Sequence, residues 1–407
     1  MEDAVSARKG PSLEEEPMLT RRIVLTASLV ASVLSALPAG AEDVVKIGVV
    51  LPMTGPFAST GRQVQAGIKA YLALHGDSVA GKKIETILRD DGGVADQTRR
   101  IAQELVVNDG VKMLLGFGLT PLAMAVAPVL NQAKVPAIIT SATTSAIMKQ
   151  SEFFVRVSMA GPQSAVPVAI WANENKLKRV VTLVSDYGPG IDIEQGFTNQ
   201  FKKEGGTIVE AVRVPLQNPD FAPFLQRVRD AKPDAVFVFV PSGVGALFMK
   251  QFVERGLAEA GIKLIATGDV TDDDLLNGIG PAAKGVITGH FYSALHDSSE
   301  NKAFVEAVGK ASNGMRPNFM AVGGFDGMHL AFEALKKTGG DTDGAKLVDA
   351  MKGMSWKSPR GPIAIDPATR DIVQDIYIRE VRDVHGELYN VELATYPKIH
   401  DANAPAK

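Results

Sequence analysis

The chain alternates continuous apolar runs with stretches whose apolar residues recur at helical spacing. Val45–Leu51 is the first run, and its lack of alternation predicts a strand covered on both faces. It stops in a ten-residue turn, Pro52 to Gly61, after which Val64, Gly67, Ile68, Tyr71 and Leu72 mark one face of a helix. Ile84–Leu88 reads as a second strand, and Ile101, Leu105 and Val106 as the next helix. Met113–Leu115 and Val135–Ile139 read as strands on either side of a helix opened by Pro121, a position where proline's fixed φ is tolerated. After Gly161-Pro162 the scheme restarts. A helix over Ala165–Glu174 leads to strands over Arg179–Val184, Thr207–Val214, Ala235–Val240, Lys263–Ala266 and Val286–Gly289, with helices between them. Helices dominate Glu300–Lys352, Gly361–Asp366 reads as a turn and short strand, and Asp375–Val381 alternates as an antiparallel strand does. The segment after Pro397 is expected to fray. Runs of βα units predict mostly parallel, doubly wound sheets, here in two similar lobes without sequence repeat.

Two of these strands end alike. Met113–Leu115 runs into Gly116, Gly118 and Thr120, and Val135–Ile139 into Thr140, Ser141, Ala142, Thr143 and Thr144. Ligands bind at the carboxyl edge of an open parallel sheet, and free N–H groups at helix starts favour an anion. Between Val111 and Ser151 there is no Asp or Glu, only Lys112, Lys134 and Lys149, which suits a carboxylate. Gly116-Phe117-Gly118 imitates half of a dinucleotide fingerprint, but Pro121 stands at the third glycine's place and the ribose-binding acid is missing. Hydroxyls after strands also serve as plain helix caps; two such turns in consecutive units favour a site.

At 407 residues, 45% apolar and 22% charged, the chain can bury two domain cores. A net charge of −3 points away from nucleic acid and membrane surfaces as partners. Arg21-Arg22, the apolar run Ile23–Leu37 and Pro38-Ala39-Gly40-Ala41 read as a signal peptide cut after Ala41. The run is short for a membrane span, and Met18 reads as the natural start. There is no cysteine, hence neither a disulfide framework nor a lipoprotein anchor. The processed chain is expected in the periplasm, or secreted, without membrane insertion.

Enzyme hardware is sparse. There is no Gly-x-Ser-x-Gly elbow, phosphate loop or His-Glu-x-x-His, and the six histidines lack ligand spacing, so neither metal nor cofactor is expected. Asp272-Asp273-Asp274 lacks the glycine and glutamate of a calcium loop and reads as a cap for the next helix. Asp90-Asp91 reads as capping and solvated. Triads assemble from distant residues, so missing motifs disfavour catalysis without excluding it. In the second half, Tyr187 either walls a ligand or packs under its own loop. Asp269, beside Gly268, either meets a ligand amine or serves a turn.

The stretches VVKIGVVLPMTGPFASTG, RDDGG, LLGFGLTPLAMAVAPVLNQAKVPAII and SDYGPG resemble the periplasmic leucine/isoleucine/valine-binding protein family of ABC importers, over about Val44 to Leu393. The resemblance implies an α/β type I periplasmic binding protein: two Rossmann-like doubly wound lobes, joined by a three-strand hinge, that close on a ligand. It implies lobe 1 over 44–160 and 290–365 and lobe 2 over 161–289 and 366–400. An upstream extension plus signal peptide would occupy 1–41, and a frayed tail 401–407. Thr120, Ala142 and Thr144 would hold the ligand carboxylate, with Gly118 in the turn. Tyr187 would close from the other lobe, with an acid near Asp269 for an α-ammonium, and Ser242, Phe57 and Thr60 complete the expected ligand-binding set. Two departures stand out. Amino-acid binders often carry a tyrosine in the first turn, where this chain has Ser59-Thr60, and the aromatic after the Ala235–Val240 strand is replaced by Ser242-Gly243.

The expected function is therefore a periplasmic binding protein that delivers a small carboxylate to an inner-membrane ABC permease. The ligand would be a branched-chain or hydrophobic amino acid, or an aromatic or aliphatic organic acid. A ligand sensor feeding a receptor or kinase, and an exported α/β enzyme, are the alternatives.

Overall fold

In the computed structural model, which describes residues 43–403, the apolar runs form two sheets. The signal-peptide stretch and the extension before it lie outside the described residues. The chain opens with β1 (Asp43–Leu51), α1 (Ala58–His75), the short β2 (Ser78–Val79) and β3 (Lys82–Asp90). Then come α2 (Ala95–Val107), β4 (Met113–Gly116), α3 (Thr120–Ala133), β5 (Ala137–Ile139) and β6 (Phe154–Arg156). These strands make a six-stranded sheet in the order β2-β3-β1-β4-β5-β6, in which β1–β4, β4–β5 and β5–β6 run parallel.

The second half begins with α4 (Gly161–Glu174), β7 (Arg179–Ser185), α5 (Gly188–Lys203), β8 (Thr207–Val214), α6 (Ala222–Ala231) and β9 (Ala235–Phe239). It continues through α7 (Gly245–Glu254), β10 (Lys263–Thr267), α8 (Leu276–Ile279) and β11 (Ile287–His290). Three helices follow, α9 (Ser299–Ala311), α10 (Phe319–Lys337) and α11 (Gly344–Met351). The last strands are β12 (Ser355–Ser358), β13 (Gly361–Ile365), β14 (Ile372–Val384) and β15 (Glu387–Ile399). The nine-stranded second sheet runs β12-β13-β14-β11-β10-β9-β7-β8, with β15 paired to β14. Its middle is parallel and its end antiparallel.

Each parallel core is built from the predicted continuous runs. Met113–Gly116 and Ala235–Phe239 are buried at every position, as strands sandwiched between helices must be. Helices α1 and α10 cross so closely that small residues are obligatory. A Cβ on Gly67 would stand 1.8 Å from the Ala321 carbonyl oxygen, and one on Gly324 would stand 2.2 Å from that of Val64. Gly323 likewise lies against the Thr140 carbonyl oxygen, 2.3 Å from where its Cβ would be, which seats α10 under the end of β5.

The stretches that pass between the two sheets are tied by buried arginines. Arg360 pairs with Asp326 at 2.9 Å, donates to the carbonyls of Val157 and Ser158 and to Gln374, and lies over the Phe291 ring. Arg156 grips Asp371 through Nε and Nη2. Arg379 donates to Thr288 and to the Tyr292 carbonyl.

Several expectations need correction. The division placed at 365/366 runs through the β13–β14 pair. By hydrogen bonding β12 and β13 belong to the second sheet, while Ile363 and Ile365 pack in the first core. The segment after Pro397 does not simply fray: Pro397 lies within β15, which pairs only with β14, an edge position where proline is tolerated. Asp401 is buried and accepts a hydrogen bond from Ser145 Oγ at 3.0 Å. Asp91 is fully buried rather than solvated, bonded to Gly93 N–H and Thr98 Oγ1. Asp272-Asp273-Asp274 does not cap α8, whose N-terminus has no side-chain cap. Asp273 instead accepts from Asn390, and Asp274 from Ser59 and Asn318.

The α1–α10 crossing can be tested. Gly67→Ala should destabilise the protein by at least about 2 kcal/mol, because backbone cannot yield as a side chain does. Gly309→Ala, in α9 with nothing within 4 Å of the new Cβ, should be neutral or stabilising by about 0.5–1 kcal/mol. Urea melts of both variants check the contrast.

Candidate ligand cleft

The turn after β5 is built to present N–H groups. Its carbonyls are turned back into the protein: Ala142 accepts from Ser158 Oγ, Thr143 from Gly161 N–H, and Thr144 from Arg156 Nη1. No hydrogen bond among the described residues takes up the N–H of Ser141, Ala142 or Thr143. Ser141 Oγ is likewise buried without a partner. Buried donors left in this state mark a place for an acceptor. Beside them Thr120, at the start of α3, shares a 2.9 Å hydrogen bond with Thr144 Oγ1. Among the described residues, no carboxylate on this side offers competing charge to the cavity.

Thr120, Ser141, Ala142 and Thr143 line a tight cavity of about 20 Å³ whose opposite wall comes from the second sheet. That is room for about one water molecule, so the cleft stands shut around its lining. The opposing residues are Tyr187, Pro189, Phe239, Pro241, Ser242 and Asp269. Tyr187 precedes α5, and its ring stacks on Phe239 at 6.1 Å between centroids and 16° between planes. Asp269 follows β10 in a 3-10 turn and accepts from Thr267 Oγ1 at 3.0 Å. Burial pushes its carboxyl up to about 6, while the Thr267 hydroxyl and Arg379 pull the other way. Burial, and then the Asp269 charge, push the Tyr187 phenol well above its ordinary range, which keeps its hydroxyl protonated as a donor.

Of the residues expected from sequence, Thr60, Gly118, Thr120, Ala142, Tyr187, Ser242 and Asp269 meet around this one cavity. Thr144 and Phe57 do not line it. Thr144 stands behind Thr120 and against Gly188, and Phe57 is buried with Leu119 and Leu122. Ser141 and Phe239 also line the cavity and were not among the residues expected from sequence. The aromatic expected to be lost after β9 is supplied by Phe239, the last residue of that strand. A strand-terminal aromatic beside a strand-terminal tyrosine is the signal that could have found it.

A cavity closed between the carboxyl edges of two α/β lobes, with an anion cradle on one and aromatic and acidic groups on the other, defines a two-lobed solute-binding protein. The chain matches the periplasmic binding protein family over residues 44–386 and belongs to that family. It is similar to the solute-binding protein of an ABC transporter from Rhodopseudomonas palustris BisB5 in complex with 3,4-dihydroxybenzoic acid. The two share 58% identity and a TM-score of 0.87, over 89% of this chain and 99% of that one. A solute-binding protein from R. palustris in complex with 4-hydroxybenzoate is 41% identical, with a TM-score of 0.86 over 88% of this chain and 99% of that one. Leu/Ile/Val-binding protein homolog 6 of Brucella melitensis is 45% identical over 391 residues, 95% of this chain and 100% of that protein. The type I two-lobed fold and a solute-binding role in an ABC importer follow. Among the described residues no helix is long and apolar enough to cross a membrane, and no cluster of His, Cys, Asp or Glu could hold a metal.

The raised Asp269 carboxyl has a consequence for stability. Its folded value of about 6 exceeds the ordinary 3.8, so the folded protein retains a proton that the unfolded chain releases. The resulting cost is absent below about pH 4, grows from there to about pH 6, and is at most about 3 kcal/mol above that. Asp269→Asn should therefore raise the Tm of the unliganded protein by a few degrees at pH 7, with the gain fading towards pH 4. Melts across pH 4–7 check this; a gain equal at every pH would count against it.

Proposed function

We propose that this protein captures a hydroxylated aromatic acid of the benzoate type in the periplasm and hands it to an inner-membrane ABC permease. The observation that carries the reading is the parallel Tyr187–Phe239 pair in the wall of a cavity whose other side offers unpaired N–H and hydroxyl donors. A flat ring would seat against these aromatic faces once the lobes part to admit it. Its carboxylate would take the donors of Ser141, Ala142 and Thr120, and a ring hydroxyl would donate to Asp269. Relatives bound to 3,4-dihydroxybenzoic acid and 4-hydroxybenzoate support this assignment. Export would follow cleavage of the signal peptide after Ala41, and the site would act by binding, without chemistry on the ligand.

Asp269 also favours a second reading, a branched-chain amino acid with its ammonium on that carboxylate, in line with the name of the Brucella relative. The two ligands make different demands. An ammonium needs the charge, whereas a phenol needs only an acceptor, which an asparagine oxygen still supplies.

Isothermal titration of the processed chain with 3,4-dihydroxybenzoate, 4-hydroxybenzoate, benzoate and leucine decides between them. The hydroxybenzoates are expected to bind, benzoate more weakly, and leucine not at all. Thr120→Val and Ser141→Ala should each lose about ten- to a hundredfold in affinity, the worth of one hydrogen bond to a buried charge. Asp269→Asn should cost the phenolic acids about tenfold or less. Binding of leucine alone, abolished by Asp269→Asn, would replace the aromatic reading with the amino-acid one.

A further inference from the structure

Outside the cavity, two carboxylates of the second lobe reach across to the first. Asp274 accepts from Ser59 Oγ at 3.2 Å and from Asn318 Nδ2 at 2.9 Å. Ser59 lies in the first turn of α1, next to the cavity residue Thr60, and Asn318 caps α10. Asp192, on α5, accepts the N–H of Ser145 at 2.8 Å. Ser145 directly follows the Ser141–Thr144 turn that presents the donors of the cradle. On both sides, then, an acid of the second lobe meets a neutral donor of the first, within a residue or two of a group facing the ligand.

The donors are held ready without help from the acids. The Asn318 carbonyl oxygen accepts from the N–H groups of Met320 and Ala321, which fixes its amide nitrogen towards Asp274. Ser145 is anchored from behind by Asp401 on its hydroxyl, and Arg156 holds the neighbouring Thr144 carbonyl. Hydrogen bonds to an ionised acceptor are stronger than neutral ones. Bonds that require the lobes to meet add only to the state in which they have met. We propose that Asp274 and Asp192 are positioning residues that latch the closed cleft from outside the ligand cavity and set how long a ligand stays. They do so without choosing which ligand enters. The inference rests on the reading above that the cleft closes on a small acid.

The chain has no cysteine, so Val107→Cys and Val253→Cys, at exposed positions on α2 and α7, give one spin-label site on each lobe. Interlobe distances would be measured by double electron–electron resonance with and without 3,4-dihydroxybenzoate, and ligand release by stopped flow. With ligand, the parent should show one narrow distance. The Asp274→Ala/Asp192→Ala variant should retain a second population at saturating ligand and release it about tenfold faster or more, with the unliganded Tm unchanged. Release at the parental rate would overturn the proposal. So would an unliganded Tm that falls in step with affinity, since that marks a merely structural role. If the parent binds none of the acids, the ligand reading fails by itself. The latch is then judged on the unliganded distances, which must broaden in the variant, and it falls if they do not.

Discussion

A guanidinium removed from water must be met by acceptors, and in this protein that requirement holds the two lobes in register. Arg360 is fully buried where the connecting stretches converge, and its two terminal nitrogens bond to the carbonyls at 157 and 158, to Gln374 and to Asp326 from the helical layer, while its plane lies over the Phe291 face. Gln374 extends the net to the Ser158 carbonyl and to Gln163, which reaches the carbonyls of Ile372 and Ile399. Removing one partner would strand a buried charge. The connections are therefore tied to one another.

The ligand cradle depends on the same economy. The turn after β5 exposes its donors because the carbonyls of Ala142, Thr143 and Thr144 are bonded away from the cleft, the last by Arg156, itself held by Asp371 from beyond β13. Gly323 lets α10 press on the Thr140 carbonyl and support the turn from beneath. Pre-set dipoles of this kind are able to hold an anion, and among the described residues no lysine or arginine lines the cavity.

Much of this was legible in the sequence, and the reason is physical. Parallel strands buried on both faces must be continuously apolar, so β1, β4, β9 and β10 announce themselves, as does the hydroxyl-rich ending of β5. The edge strand β15 mixes polar and apolar residues without strict alternation, is half-exposed and contains Pro397, so no periodicity marks it. The placing of Asp274 and Asp192 was equally hidden, because their partners lie 44 or more residues away. Phe239 looked like ordinary core because nothing local says that a strand's last residue faces a cavity. Thr144 and Phe57 carry the right chemistry but stand one layer behind the wall, a distinction of side-chain direction that spacing does not encode.

The contact between Ser145 and Asp401 spans 256 positions of sequence. During synthesis the strands of the first sheet are made early, yet the turn that lines the cavity has its final anchor only after β15 has been made and paired. A chain passing through a membrane in extended form meets the same order on the far side. The cavity wall is thus finished only with the last strand, and a half-emerged protein lacks the tie that closes it.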